Sequence, residues 1–572
     1  MNKKFLWKIG GEAGFGIMTV GLNFSKIAAH SGYHIFDYTE YPSLIRGGHN
    51  TYEVLVSPDI VGASKKTIDL LVCLNKDTFE LDKDRLARDS MVIYDGDEFA
   101  PEGNYQLISL PLRAILKEEE AKEIMLNNIA LGASLALMDW DLKYLEEIFI
   151  EAFSKKGNDI VEVNKKVARR GFDYIKKNYS ELIVKDFPIR QAETKVVLTG
   201  NESFSLGSIA ADCGLYCAYP MTPASSVQTV LANYAEKTGM VVRHSEDEIA
   251  VINTAIGSSW AGVRSAVGTS GGGFALMVEG ISLAGMLETP LVIFLSQRPA
   301  PATGMPTWTE QGDLLFAVNA GHGDFPKIVL APGDVQEMFE LTVKAFDLAD
   351  IYQTPVIVLS DKFLSESHQS LDLQKISDFS KNYKPNRGKI VAQVQGQTYQ
   401  RYQVTDDGIS PMLIPGAKGI FYQSNSYEHL ENGYTTEAAD ERIKQADKRN
   451  RKLETYLKKD FQKPEIYGDF NKSEIVFISW GSNKGPILEA MKELENASLI
   501  HFTHVYPLDQ GILIPFFPEG KRYILVENNQ TGQFGRLLRG ETGIEIKEKL
   551  LKYDGRSFWP EEIIKYVKPR RI

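Results

Sequence analysis

Twice in this chain a short apolar run enters a glycine-rich turn and leaves as a helix. That order of elements constrains the fold more than any other feature. Residues 5–9 read as a buried strand, Gly10 to Gly16 as the turn, and Met18, Leu22 and Ile27 as one face of a helix. Near the other end, 474–480 is a strand, 481–485 a turn bounded by glycines, and 486–494 a helix. Between them, strands and helices alternate from 194 to 365, and the strand 356–360 ends that block. Such alternation predicts an α/β protein. The chain has 572 residues, and at roughly 150 residues per domain it holds about three or four. The boundaries expected are an α/β domain at 1–185, a second at 195–400, a connecting segment at 401–465 and a last α/β domain at 466–572. Residues 142–179 read as helical with a break at Gly157, and 440–459 as a charge-dense helix facing solvent.

Lysines and arginines number 64 against 75 acids, a net charge of 64 − 75 = −11. That balance argues against a nucleic-acid or bilayer-surface role, which needs a basic field. The most apolar stretch, 275–295, contains Glu279, Glu288 and Pro290 and is too broken to span a membrane. The amino terminus has lysines but only a short apolar run, so no signal peptide is expected. The cysteines are Cys73, Cys213 and Cys217. They form no disulfide framework and imply a reducing, cytoplasmic setting. Cys213 and Cys217 have the wrong spacing for an iron–sulfur cluster and read as small buried residues on one helix face.

Four segments of the middle block could carry chemistry. In Tyr219-Pro220-Met221-Thr222-Pro223, the proline pushes Thr222 towards an extended backbone. Ser225 or Ser226 can then cap a helix that Gly239 ends. A hydroxyl before free helix N–H groups suits a carboxylate, although a plain N-cap accounts for the same residues. Ser245 and Glu248 have capping-box spacing. Alternatively, Glu248 is a buried functional carboxylate at the head of an apolar helix. Gly271, Gly272 and Gly273 follow a strand and allow either close approach of a ligand or a tight turn. The strand 291–295 runs into Arg298, whose planar fork suits a carboxylate, on a loop stiffened by three prolines before Thr307. A surface arginine on a stiff loop is the alternative. His244, His501 and His504 read as packing or solvent-exposed residues.

Together and in this order, these segments resemble the α-subunit of 2-oxoacid:ferredoxin oxidoreductases, in the fused form whose γ domain precedes the α region. The resemblance spans nearly the whole chain. Tyr219 to Pro223 is similar to that family's Y-P-[IM]-T-P motif, and Arg298 to Thr307 to its R-x-x-P-[SA]-T-G-[ML]-P-T segment. It implies three α/β domains, including a thiamine-diphosphate pyrimidine-binding-type domain and a C-terminal transketolase-C-like domain. It implies that Thr222, Arg298 and Thr307 contact the 2-oxocarboxylate. Glu248 would be catalytic, bonding the cofactor's aminopyrimidine, with Tyr219 and Pro220 beside the cofactor. Gly14, Gly16, Arg46 and Gly47 resemble the γ domain's glycine loop and S-x-x-R-G-G segment, with a role in coenzyme A binding or domain packing. Trp480-Gly481-Ser482 and Glu527-Asn528 resemble parts of the final, chiefly structural domain.

The resemblance further implies oxidative decarboxylation of a 2-oxoacid to an acyl-CoA, with electrons passed to ferredoxin. No Gly-Asp-Gly diphosphate motif and no cluster cysteines occur in the chain. Mg2+, the diphosphate site and a [4Fe-4S] cluster are therefore expected on a β-subunit, in a heterodimer or a dimer of heterodimers, with no metal held here. The loop favours 2-oxoglutarate, with pyruvate or another 2-oxoacid as the alternative. A transketolase-type transferase is disfavoured by the missing diphosphate half. Two departures stand out. Gly272 replaces a common proline, and Trp308 replaces a common lysine or arginine, which leaves the charge of the substrate pocket open.

Overall fold

The computed structural model describes residues 3–43, 48–190, 193, 195–394 and 399–568. The chain forms two compact units. The first comprises Met1–Leu198 with Ser367–Asp378 and Trp559–Lys565, and the second Thr199–Glu366, Phe379–Phe558 and Tyr566–Ile572. Two later segments thus join the block expected at 1–185. The three main sheets have eight, seven and five strands, consistent with the α/β class.

In the first unit, Gln106–Ser109, Leu86–Tyr94, Ile68–Cys73 and Phe5–Glu12 run parallel in that spatial order. His49–Ser57 and His34–Glu40 then continue the sheet antiparallel, with Phe5 opposite Val56 and His34 opposite Ser57. Phe5–Glu12 is buried at every position but its last, as a strand covered on both faces must be. Trp7 stacks on Phe24 of the helix Ile17–His30, with ring centroids 4.4 Å apart. The helices Leu126–Leu137 and Asn158–Asn178 cross through paired glycines. A Cβ on Gly132 would lie 2.0 Å from the Ala168 carbonyl oxygen, and one on Gly171 2.0 Å from that of Ile129. Gly157 precedes the second helix with φ 117°, the break expected there.

The second unit contains the other two sheets. The seven-stranded sheet runs His504–Tyr506, Ile328–Leu330, Pro355–Asp361, Leu291–Gln297, Ser265–Thr269, Leu215–Ala218, Val241–His244. Its strands are parallel except His504–Tyr506, which pairs antiparallel with Ile328–Leu330. One apolar core packs the helices Glu248–Trp260 and Gly271–Leu287 on one face. Another packs Gly200–Ala210, Ser225–Thr238 and Val335–Tyr352 on the other. The five-stranded sheet centres on Ile475–Trp480, flanked by Ala497–Phe502 and Arg522–Glu527.

Two sequence expectations are corrected. Cys217 lies on the strand Leu215–Ala218 and Cys213 just before it, not on a helix. Both are buried, and burial pushes the Cys213 thiol up to about 12 and raises that of Cys217. The helix Ala439–Lys459 does not simply face solvent, because Lys448 and Lys452 are both buried. Glu288, at the carboxyl end of Gly271–Leu287 with φ 50°, accepts from Lys448 at 2.5 Å and forms an ion pair with Lys452 at 2.6 Å. Arg401 donates to the Glu288 carbonyl at 2.7 Å. Burial, against the attraction of the shared carboxylate, pulls Lys448 down to about 7 and Lys452 to about 8. Removing the carboxylate leaves the cations uncompensated, a change worth roughly 3–5 kcal/mol. Glu288→Gln is therefore expected to lower the thermal midpoint of the second unit by several degrees in calorimetry. An unchanged midpoint would show that the cluster contributes nothing.

Candidate active site

Glu248 opens the helix Glu248–Trp260 from the sheet's edge-strand end. The expected Ser245–Glu248 capping box is absent. Asp247 is the N-cap, its Oδ1 accepting from the Ala250 amide at 2.8 Å, and Ser245 Oγ pairs with Cys217 Sγ at 3.2 Å. An acid standing immediately before the helix took the capping role and left Glu248 without it. Glu248 is 2% exposed. Its Oε1 accepts from Thr269 Oγ1 at 3.3 Å, while Oε2 takes no hydrogen bond from the described residues. A Cβ on Gly273 would stand 2.1 Å from that Oε1, so glycine there admits the carboxylate. Gly273 lies in the first turn of Gly271–Leu287, a turn with no acid of its own, where the helix dipole favours a negative charge.

Arg298 follows the strand Leu291–Gln297, on the side where parallel sheets place ligands. Its Nη1 donates to the Thr222 carbonyl at 2.7 Å, which brings two predicted substrate residues together through the backbone. Burial lowers the Arg298 pKa, with Asp313 acting in the opposite sense. The helix Ser225–Thr238 has no side-chain cap, contrary to expectation, because Ser226 Oγ instead accepts from Asn201 Nδ2 at 2.7 Å. Gly239 ends the helix at φ 73° as foreseen. Thr307 is buried, and its hydroxyl has no partner among the described residues.

The residues between Thr307 and the helix Leu314–Asn319 were missed from sequence. Gln311 is fully buried, and its side chain is bonded into the five-stranded sheet. Its Oε1 accepts from Asn483 Nδ2 at 2.7 Å and the Asn528 amide at 3.0 Å, and its Nε2 donates to the Trp480 carbonyl at 3.1 Å. Thr309 Oγ1 donates to Asp361 at 3.2 Å, whose other oxygen accepts from Ser482 at 2.6 Å. The polar run Thr309-Glu310-Gln311-Gly312-Asp313 carried no local signal of this burial. Two acids follow from the same run. Asp313 Oδ2 is buried without a hydrogen-bond partner among the described residues and lies 2.6 Å from where a Gly271 Cβ would be. Burial raises Asp313 to about 6, against the pull of Arg298, and raises Glu310 to about 7 with help from Asp313.

Other predicted residues are more scattered. Tyr219 and Pro220 are exposed, with the Tyr219 ring 6.1 Å from that of His244. Gly14 and Gly16 lie in the first unit, at φ 106° and 69°, where Gly16 precedes Ile17–His30. Arg46 and Gly47 lie outside the described residues. His501 bonds Glu337 at 3.2 Å, and His504 pairs with Tyr456, so both are packing residues. Among the described residues no group of three or more His, Cys, Asp or Glu side chains could hold a metal ion, and no helix is long and apolar enough to cross a membrane.

The acid pair gives a pH signature. Unfolded carboxyls titrate near 4, whereas these two hold protons up to about 6 and 7. The folded state therefore binds more protons in between. The stability this confers is complete below about pH 4 and is lost as pH rises through the folded values. Asp313→Asn is expected to stabilise the protein at pH 8 by on the order of 1–2 kcal/mol and not at pH 4, read as thermal midpoints across that range. An equal gain at both values would refute the assignment.

Residues 206–448 match the family described as pyruvate flavodoxin/ferredoxin oxidoreductase, thiamine diP-bdg, and residues 6–174 match pyruvate ferredoxin/flavodoxin oxidoreductase. The 2-oxoacid:ferredoxin oxidoreductase subunit alpha of Saccharolobus solfataricus is 33% identical, over 98% of this chain and 97% of that one. The 2-oxoglutarate oxidoreductase subunit KorA of Mycobacterium tuberculosis is 26% identical, over 98% and 90%. A solved structure of 2-oxoglutarate:ferredoxin oxidoreductase from Magnetococcus marinus, with 2-oxoglutarate, coenzyme A and succinyl-CoA bound, superposes with TM-score 0.92 at 30% identity, covering 99% of each chain. A match at this identity over almost the full length of both chains places this protein in the 2-oxoacid:ferredoxin oxidoreductase family, as an α-subunit.

Proposed function

We propose that this chain is the part of a coenzyme A-dependent 2-oxoacid oxidoreductase that holds the 2-oxoacid and activates the cofactor's pyrimidine, with 2-oxoglutarate as substrate. The observation that carries the reading is Glu248, a buried carboxylate with one oxygen bonded to Thr269 and the other taking no hydrogen bond from the described residues. A half-satisfied buried acceptor beside Gly273 and Thr269, whose hydroxyl lies 3.9 Å from the Met221 sulfur, fits the amino-bearing ring of thiamine diphosphate. When bound, thiamine diphosphate supplies the nucleophilic carbon and the electron sink for loss of carbon dioxide.

The remaining work falls to side chains. Glu248 would hold a proton at the pyrimidine, a charged hydrogen bond worth about 1.5–3 kcal/mol. Arg298, with one nitrogen spent on Thr222, keeps further donors for the substrate carboxylate, and the open Thr307 hydroxyl would join them. Fixing that carboxylate orients the 2-oxo carbon. The diphosphate site, Mg2+ and a [4Fe-4S] cluster would come from a β-subunit in a cytoplasmic heterodimer or dimer of heterodimers that passes electrons to ferredoxin. The first unit, with Gly14, Gly16, Arg46 and Gly47, would take part in coenzyme A binding or domain packing. The bound ligands of the Magnetococcus marinus structure support the choice of 2-oxoglutarate.

Co-expression with the β-subunit and anaerobic dye reduction by 2-oxoglutarate and coenzyme A test this. Glu248→Gln is expected to lower kcat about 10- to 100-fold, the equivalent of that hydrogen bond. Arg298→Ala is expected to act mainly on the substrate KM. Turnover unchanged by Glu248→Gln would remove this residue from the reaction.

A further inference from the structure

The substrate loop has a second cation beside it, contributed from far along the chain. The loop folds back after Arg298: the Met305 amide donates to the Pro299 carbonyl at 3.1 Å, and the Trp308 amide to the Met305 carbonyl at 3.1 Å. These bonds close two successive turns between Pro299 and Trp308. The segment 553–557 packs on that turn. The Thr309 amide donates to the Gly555 carbonyl at 3.1 Å, and a Cβ on Gly555 would lie 3.1 Å from Met305 and 3.3 Å from Trp308. Asn528 Nδ2 donates to the Arg556 carbonyl at 2.7 Å and fixes the segment's position.

The result is a guanidinium laid on an indole. The Arg556 Cζ sits 3.6 Å from the Trp308 ring centroid, a cation–π contact that orients the fork while leaving its edge available. Nη1 donates to the Asp554 carbonyl at 3.0 Å, and among the described residues no carboxylate oxygen lies within ion-pair distance of the guanidinium. Arg556 is half-buried. An arginine held rigidly, partly desolvated and without a counter-ion is arranged to receive an anion.

We infer that Arg556 recognises the distal carboxylate of a dicarboxylic 2-oxoacid, with Arg298 holding the carboxylate next to the carbonyl. This deepens the functional reading above and rests on it. Trp308 then has a role too. The aromatic side chain adds no charge itself but serves as the platform that sets the direction of one. Arg298 binds the end that every 2-oxoacid shares, whereas Arg556 senses the other end, so its effect is on selectivity.

The test uses the complex of this chain with its β-subunit, assayed anaerobically with 2-oxoglutarate and with the monocarboxylic 2-oxobutyrate. Arg556→Gln is expected to lower kcat/KM for 2-oxoglutarate about 30- to 100-fold, mostly through KM, as loss of a charge-assisted fork would. The value for 2-oxobutyrate should stay within about twofold. Trp308→Ala should lower the 2-oxoglutarate value in the same direction but less far, again leaving 2-oxobutyrate within about twofold. If Arg556→Gln fails to assemble, Arg556→Lys, which keeps the charge but loses the fork, should give an intermediate rise in the 2-oxoglutarate KM. An equal fall with both acids, no change with either, or a change confined to the KM for coenzyme A would each overturn the assignment. Absence of dye reduction by the unmodified complex with any 2-oxoacid is a different result, and it would sink the functional reading itself.

Discussion

The buried side chain of Gln311 is the contact on which the catalytic half of this protein turns. One amide joins the loop that carries Arg298 and Thr307 to three points of the neighbouring five-stranded sheet: Trp480, Asn483 and Asn528. Each partner is itself buried, so no bond in the set competes with water, and loss of any one strands a polar group at a cost of about 1–3 kcal/mol. Asp361 adds a parallel tie through Thr309 and Ser482. The final sheet, expected from its resemblance to be mainly structural, is thereby the jig that holds this loop in shape. Prolines stiffen such a loop from within, but it is this web that fixes where the stiff loop points.

Much of the architecture could be read from the amino-acid order. The strand, glycine turn and helix at each end were visible because a buried strand and a tight turn leave local marks in residue type. Gly157 and Gly239 ended or interrupted helices where expected, because a left-handed or otherwise positive φ is a local demand. Glu248, Thr222 and Arg298 were named because proline and glycine fix the register around two of them. The errors came where a neighbour settled the outcome. Ser245 and Glu248 have capping-box spacing, yet Asp247, two positions after Ser245, took the cap. Lys448 and Lys452 looked like solvated charges, because a carboxylate 160 residues away in sequence from the first of them leaves no trace in the helix itself. Gln311 and Arg556 were invisible for the same reason.

Charge is concentrated at both ends of the helix Gly271–Leu287. Its first turn admits Glu248 through Gly273 and faces Asp313 through Gly271. Its last residue leads into Glu288, surrounded by Lys448, Lys452 and Arg401. A negative group near the amino end and cations near the carboxyl end follow the helix dipole. The Glu288 cluster gives the helix a fixed anchor, at the desolvation cost that buried ions always carry. With its far end pinned, the helix can present its first turn to a ligand without shifting along its axis.

The antiparallel strand His504–Tyr506 has a consequence for how this polypeptide could be dissected. It borders Ile328–Leu330 and so completes a sheet whose other strands all come from before residue 362. A protein cut off ahead of residue 466 would keep Thr222, Glu248, Arg298 and Thr307, yet lose Arg556 and expose a raw margin of unpaired amides along Ile328–Leu330, the sort of seam at which chains aggregate. The last hundred residues are a hem as much as an appendage, and shortening the gene there would unravel cloth well upstream of the cut.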